Sequence, residues 1–206
     1  MNRPLTGIRA DWKEGYSSIE MSAANLRQRL RLGRLDRFDA WTFFNHVLPT
    51  FTIECGAGSV SLCEAVEECE QEGLTRWNPN SRMLELVLSG STYDSLRRGQ
   101  PRARYTVAHE CGHVSLHADQ IISMRGMSLV SQIAFHRDRK QHQACEDTEW
   151  QANAFASALL MPADGVLALR MRHGALDEYV VAETFDVSLE SACYRLGTYE
   201  KSLGRK

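Results

Sequence analysis

The feature that most constrains the fold of this chain is a short segment, residues 104–118, whose apolar residues recur with the period of a helix. Three polar residues lie in the middle of it, in the pattern His109-Glu110-x-x-His113. Residues four apart lie on one face of a helix, so the two imidazoles are expected to point the same way. Burying them and a carboxylate without partners would be costly. The segment therefore indicates a functional site.

The spacing of the two histidines suits a zinc ion, which binds neutral imidazole nitrogens. Glu110 lies about 100° around the helix from His109, where it can take a proton from water without binding the metal. We therefore expect His109 and His113 to be zinc ligands and Glu110 to be the general base. The alternative is a pair of core histidines that hydrogen-bond to the backbone.

A catalytic zinc usually has three protein ligands, so one more ligand is expected from another segment. Residues 148–161 form a second helical pattern, small and apolar except for Glu149 and Asn153 on one face. We expect Glu149 to complete a His, His, Glu set, although a favourable charge at the helix N-terminus would also explain it. Asn153 is expected to hydrogen-bond the free nitrogen of a ligating histidine. Glu146 and Asp147 are rivals of Glu149, but their polar surroundings favour a solvated role.

His117 continues the four-residue series of histidines but does not fit the same ion. On a straight helix it lies about 80° around the axis and roughly 12 Å along it from His109. We expect His117 to have a structural role or to cap the helix C-terminus.

Two blocks of sequence, in this order and at this separation, are far more specific than the two-histidine pattern alone. The first is Arg104-Tyr-Thr-Val-Ala-His-Glu-x-Gly-His-x-x-Leu-His117, and the second is Glu149-x-x-Ala-Asn-x-Phe-Ala-x-x-Leu-Leu-Met-Pro162. Together they resemble the ImmA/IrrE family of metallo-endopeptidases. With weaker similarity on either side, the resemblance covers about residues 38–200. One departure is Cys111, which stands where the family usually has Leu.

The resemblance implies an α+β fold, with a small zincin-like metalloprotease domain, a short antiparallel sheet and a C-terminal helix-turn-helix-like pair. It implies a zinc endopeptidase, of the gluzincin type given the His, His, Glu set, that cleaves a partner protein inside the cell. Such a partner is often a helix-turn-helix transcriptional repressor, in mobile elements or stress responses. The length leaves no expected room for a separate DNA-binding or sensory domain.

Composition and patterning agree with one cytoplasmic catalytic domain. The chain has 206 residues and a formal net charge of −2, so bulk charge does not suggest nucleic-acid binding. We expect a polar N-terminal segment over residues 1–20, a peptidase domain over 21–165 and a C-terminal helical segment packed on it over 166–206. No apolar run approaches the roughly 20 residues of a membrane span, and the N-terminus lacks the apolar core of a secretory signal. The six cysteines show no C-x-x-C spacing and are expected to be reduced.

Shorter patterns predict the remaining elements and two features of a site. Residues 22–47 are helical with a break near Gly33, residues 50–55 form a strand, and residues 75–88 form a hairpin. Residues 63–72 fit either a short helix or part of a meander. The strand Met83–Leu88 is the expected edge on which an extended substrate would lie. Arg104, Tyr93 and His173 are alternatives for the group that stabilises a developing oxyanion.

Two other features have more than one interpretation at this point. The pair of helices over residues 177–185 and 188–196 is compatible with a helix-turn-helix, but its second member carries Glu190 and only Arg195 as a basic residue. We therefore expect packing or partner docking there, not DNA binding. Cys111 could be a redox switch beside zinc, although a small apolar filler is the simpler role.

Two rivals come from other classes of protein. The first is a catalytically silent zincin-like module that sequesters a repressor or an antitoxin. The second is a DNA-binding regulator with structural zinc. The presence of all the proposed catalytic groups argues against the first. The intact Glu110 argues against the second, since a closed structural zinc site needs no general base.

Overall fold

The computed structural model describes residues 9–10, 14–56, 58–124 and 143–203. Within them the order of elements confirms the α+β class. The helices are α1 (Tyr16–Arg29), α2 (Ala40–Thr42), α3 (Gly90–Arg97), α4 (Pro101–Ser123), α5 (Thr148–Leu160), α6 (Ala163–His173), α7 (Glu178–Phe185) and α8 (Leu189–Leu203). The strands are β1 (Thr52–Cys55), β2 (Gly58–Glu67), β3 (Gly73–Asn78) and β4 (Met83–Ser89). A π-helical turn, Phe43–Val47, and a 3-10 turn, Leu48–Thr50, continue α2.

Several elements agree with the patterns in the sequence, and others had no firm prediction. The helical pattern over residues 22–47 is present in two pieces, α1 and the turns that begin with α2. The hairpin of β3 and β4 is confirmed. Residues 58–67 are a long strand, which the acidic composition of that region left undecided. The helices α3 and α6 had no sequence-based prediction.

The sheet has the strand order β1-β2-β4-β3 and is mixed. The pairs β1–β2 and β3–β4 are antiparallel, whereas β2 and β4 run parallel. The expectation of a purely antiparallel sheet is therefore wrong in this detail. The reason is that β3, which follows β2 in the chain, forms the far edge of the sheet. The next strand, β4, then lies between β2 and β3.

The expectation that Met83–Leu88 forms a free edge is also wrong. β4 is hydrogen-bonded on both sides, and after Met83 every one of its residues is buried. Such a near-continuous apolar run is typical of a strand covered on both faces. Among the strands of the described residues, β1 and β3 form the edges of the sheet, and β3 packs beside α4.

The helices α4 and α5 pack with their backbones in close contact. A Cβ added to Gly112 would lie 2.9 Å from Ala152 Cα and 3.1 Å from Ala152 O. Small residues on both helices allow this approach. The two helices carry all the residues predicted to bind metal, so the contact at Gly112 decides how near Glu149 comes to the two histidines.

Replacing Gly112 with Ala is expected to destabilise the protein by about 1–3 kcal/mol, because the added methyl meets backbone that cannot rotate away. Gly197→Ala is a matched control, since Gly197 lies in α8 with open space around it. That variant should gain up to ~1 kcal/mol from helix propensity. Denaturant titration measures both free energies of unfolding. A stabilised Gly112→Ala variant would show that the helices do not need this close approach.

The C-terminal helix packs against the start of the chain through Arg195. Its guanidinium is buried, donates to Met161 O at 2.8 Å and forms an ion pair with Glu20 on α1. The Arg195 side chain therefore contributes to the packing of the protein interior. The predicted domain boundaries stay predictions.

None of the described helices is by itself long and apolar enough to cross a bilayer. Two consecutive helices that are bent relative to each other reach the required length and composition only when taken together, Thr148–Leu160 and Ala163–His173.

Candidate metal centre

Three side chains from α4 and α5 place their donor atoms at the corners of a small triangle. His109 Nε2 lies 3.1 Å from His113 Nε2 and 3.1 Å from Glu149 Oε2, and His113 Nε2 lies 3.3 Å from Glu149 Oε1. Around a tetrahedral zinc with bonds of about 2.0–2.1 Å, neighbouring ligand atoms lie about 3.3–3.4 Å apart. The nearest separations between the three side chains are therefore close to those around one such ion, and the two contacts of Glu149 use its two different oxygens. One donor atom from each residue lies within 4.8 Å of the others. The structure brings together the three residues that the sequence predicted as ligands.

The hydrogen bonds of Asn153 indicate which nitrogen of His109 faces the triangle with a lone pair. Asn153 Nδ2 donates to Glu149 O at 2.7 Å, so Asn153 Oδ1 is the atom turned towards α4. Tyr105 donates its hydroxyl hydrogen to this oxygen at 2.9 Å, and His109 Nδ1 lies 3.3 Å from it. An amide oxygen only accepts, so Nδ1 of His109 carries the hydrogen. Nε2 is left with the lone pair that a metal needs.

We therefore predict that Asn153→Ala weakens zinc binding by roughly 10–100-fold, because His109 loses the partner that fixes its tautomer and ring orientation. The helix itself should persist, since Ala is the better helix former. Competition with a zinc chelator gives the affinity, and a parallel measurement of unfolding separates it from stability. An affinity equal to that of the wild type would mean that Asn153 does not orient His109.

The electrostatics of the triangle favour a cation. Burial alone would raise the pKa of Glu149, but the adjacent imidazoles of His109 and His113 hold it below its ordinary value. Burial would lower the pKa of His113, yet the neighbouring Glu149 carboxylate raises it. Protons and a metal ion compete for the same atoms, so metal affinity is expected to fall as the pH falls.

The carboxylate of Glu110 lies against the edge strand β3. Thr75 Oγ1 donates to Glu110 Oε2 at 2.8 Å, and the Glu110 residue is 4 % exposed. A Cβ on Gly73 would lie 2.9 Å from Glu110 Oε1 and 2.7 Å from Thr106 Cγ2. Gly73 therefore leaves the space that this carboxylate occupies. The proposed base is enclosed between α4 and β3.

The two rival carboxylates are buried, so the expectation that they are solvated is wrong. Glu146 pairs with Arg9 at 3.1 Å and accepts from Gln143 N at 2.9 Å. Asp147 caps α5 by accepting from Trp150 N at 2.9 Å. The segment at residues 9–10 covers this turn and bonds to it through its backbone. That contact is distant in sequence, so local composition did not reveal it.

Two of the three residues suggested as donors to an oxyanion have other partners in the structure. Arg104 forms an ion pair with Asp186 at 2.6 Å, at the left-handed residue that ends α7. The Tyr93 hydroxyl donates to Asn45 Oδ1 at 3.0 Å. His173 lies at the end of α6.

Tyr105 also reaches the site, and the sequence analysis gave it no role. Its hydroxyl contacts Asn153 Oδ1. The signal that could have identified Tyr105 is its position four residues before His109, on the same face of the helix.

Cys111 is enclosed in the core, and burial followed by the nearby Glu110 charge raises the pKa of its thiol. A neutral, buried thiol suits the role of an apolar filler and disfavours a redox switch. The six cysteines are free thiols.

A mixed sheet packed with helices, and a His, His, Glu cluster between two of them, define a small zincin-like domain of the metallopeptidase type. Residues 96–197 match the family model described as peptidase M78, IrrE N-terminal-like domain. The chain belongs to this family, which confirms the resemblance found in the sequence. The match spans α4 to most of α8 and so includes the whole triangle. A comparison with curated proteins finds no match.

Proposed function

We propose that this protein is a zinc-dependent endopeptidase of the gluzincin type, in which His109, His113 and Glu149 hold the ion and Glu110 is the general base. The observation that carries the proposal is the convergence of three side chains whose nearest donor atoms lie 3.1–3.3 Å apart in each pair. Catalytic zinc sites use three nitrogen or oxygen ligands from the protein and leave one position open. The donor set therefore fits zinc.

A bound zinc ion would supply Lewis acidity, which polarises a peptide carbonyl. Glu110 would accept a proton from the attacking water and pass it to the leaving amine. The hydrogen bond from Thr75 occupies one oxygen of this carboxylate and fixes its orientation. The other oxygen is then available for the proton.

We propose that the substrate lies along β3 as an added strand. β3 is an edge of the sheet, so it offers backbone hydrogen bonds to an extended peptide. Thr75 on this strand contacts Glu110, which places a peptide bound at the edge next to the base. β3 thus takes the role that the sequence analysis gave to β4.

The partner is proposed to be a cytoplasmic protein, either a helix-turn-helix transcriptional repressor or an antitoxin. Family membership supports this choice. Direct binding to DNA is not proposed, because Arg195, the basic residue expected on the second C-terminal helix, is buried in an ion pair with Glu20. The alternative is a silent module that holds such a partner without cutting it.

A trapping experiment tests the proposal and its alternative together. The Glu110→Gln variant should retain an intact partner in a pull-down from cells, whereas the wild type should yield cleaved fragments of the same protein. A Glu110→Gln variant that also carries His113→Ala serves as the control for retention that depends on the metal.

Recovery of the same partner, intact, with both the wild type and Glu110→Gln would support sequestration instead of cleavage. Recovery of fragments from a protein that is neither a repressor nor an antitoxin would support peptidase activity and overturn the proposed substrate.

A further inference from the structure

We infer that His117 and Gln151 act as positioning residues for the metal site, because they fix the tautomer of His113 through a chain of hydrogen bonds from the backbone. The inference rests on the proposed role of His113 as a metal ligand. It gives a specific form to the structural role that was one of the two alternatives expected for His117, the other being a helix cap. It also brings in Gln151, a residue that no pattern in the sequence singled out.

The chain of hydrogen bonds begins at a backbone carbonyl, which can only accept. Gln151 Nε2 donates to Cys145 O at 2.8 Å, and this fixes the orientation of the side-chain amide. Gln151 Oε1 therefore faces His117 Nε2, at 2.8 Å. Since an amide oxygen also only accepts, the hydrogen of His117 lies on Nε2.

The position of the hydrogen on His117 in turn determines which nitrogen of His113 carries a hydrogen. With its hydrogen on Nε2, a neutral His117 has a lone pair on Nδ1, which lies 3.0 Å from His113 Nδ1. This contact is a hydrogen bond only if His113 donates from Nδ1. His113 Nε2 then carries the lone pair, and it faces the triangle shared with His109 and Glu149.

If the hydrogen bond between His113 and His117 ran in the opposite direction, the metal could not bind His113. A hydrogen on His117 Nδ1 would make His113 Nδ1 the acceptor and place the hydrogen of His113 on Nε2, where the metal must bind. Burial makes the direction hard to reverse, because His117 is 3 % exposed and Gln151 is fully buried. Water cannot easily replace either partner at these positions.

The two ligand histidines are thus oriented by separate residues of the same helix. Asn153 on α5 fixes His109 directly, whereas Gln151 on α5 fixes His113 through His117. Because the two routes share no residue on the α5 side, their contributions to metal affinity should be independent. This independence separates a positioning role from simple packing.

Zinc affinity of the full chain, measured by competition with a chelator, tests the inference. His117→Phe is expected to weaken zinc by roughly 10–100-fold, and Gln151→Met should weaken it in the same direction. Their double variant should be no weaker than His117→Phe, because Gln151 acts only through His117. His117→Phe combined with Asn153→Ala should instead be additive. His117→Gln, which keeps an acceptor for His113, should restore part of the affinity.

Unchanged zinc affinity in both Gln151→Met and His117→Phe would overturn the inference, as would additive losses in their double variant. If His117→Phe fails to fold, Gln151→Met still decides the matter, since it leaves the imidazole of His117 in place. A wild-type chain that binds no zinc would instead refute the proposed metal site, so the two failures are distinguishable.

Discussion

Replacement of Glu110 with Gln is expected to leave the fold and the bound zinc unchanged while turnover falls by roughly 100- to 10,000-fold. Glutamine has nearly the same shape, and its amide oxygen can still accept the hydrogen bond that Thr75 now donates to the carboxylate. What it loses is the ability to take a proton. The effect should therefore appear in kcat, with little change in KM.

Cleavage of the trapped partner by purified protein provides the measurement, and zinc content of each preparation is the internal check. Thr75→Val is the matched control, since it keeps the carboxylate and removes only the hydroxyl that orients it. That variant should lose less activity than Glu110→Gln. Equal turnover of Glu110→Gln and the wild type would rule out Glu110 as the base.

The family, the α+β class and the two helices of the site could be predicted from the sequence because their signals are local. The helix α4 shows its histidines at a four-residue spacing, and α5 shows Glu149 and Asn153 against a small apolar background. The need for a third ligand then links the two helices without any knowledge of the sheet. These residues do come together in the structure, while their roles remain predictions.

Features that depend on contacts between distant segments could not be predicted in the same way. The order of strands is one of them, because the pairing of β4 with both β2 and β3 is not encoded in β4 alone. Its continuous apolar run was nevertheless a usable sign of a central strand. The burial of Glu146 is another, since it depends on a pairing with Arg9 137 residues away.

The hydrogen-bonded partners of His117 could not be predicted for a related reason. A helical wheel places it correctly relative to His109, but the wheel does not show that His113 rotates its Nδ1 towards the next turn. The partner that makes this useful, Gln151, lies on a different helix, and its amide is oriented by Cys145 O. The network becomes visible only when all three segments are packed together.

Loss of the metal is the second large effect expected from single substitutions. The wild type should contain about one zinc per chain, and His113→Ala and Glu149→Ala should each lose it, because two remaining donors do not make a catalytic zinc site. Elemental analysis after dialysis measures the content. Glu70→Ala, which removes an exposed carboxylate, is the control for a change of charge alone.

The same loss should also be visible in stability. Zinc at about 1,000 times its dissociation constant stabilises a folded protein by about 4 kcal/mol when the unfolded chain does not bind it. Added zinc should therefore raise the melting temperature of the wild type and of Glu70→Ala, but not that of His113→Ala or Glu149→Ala. Full zinc retention by Glu149→Ala would transfer the third-ligand role to Glu146, Asp147 or His117. It would then require a rearrangement of the buried contacts that now hold these three side chains away from the triangle.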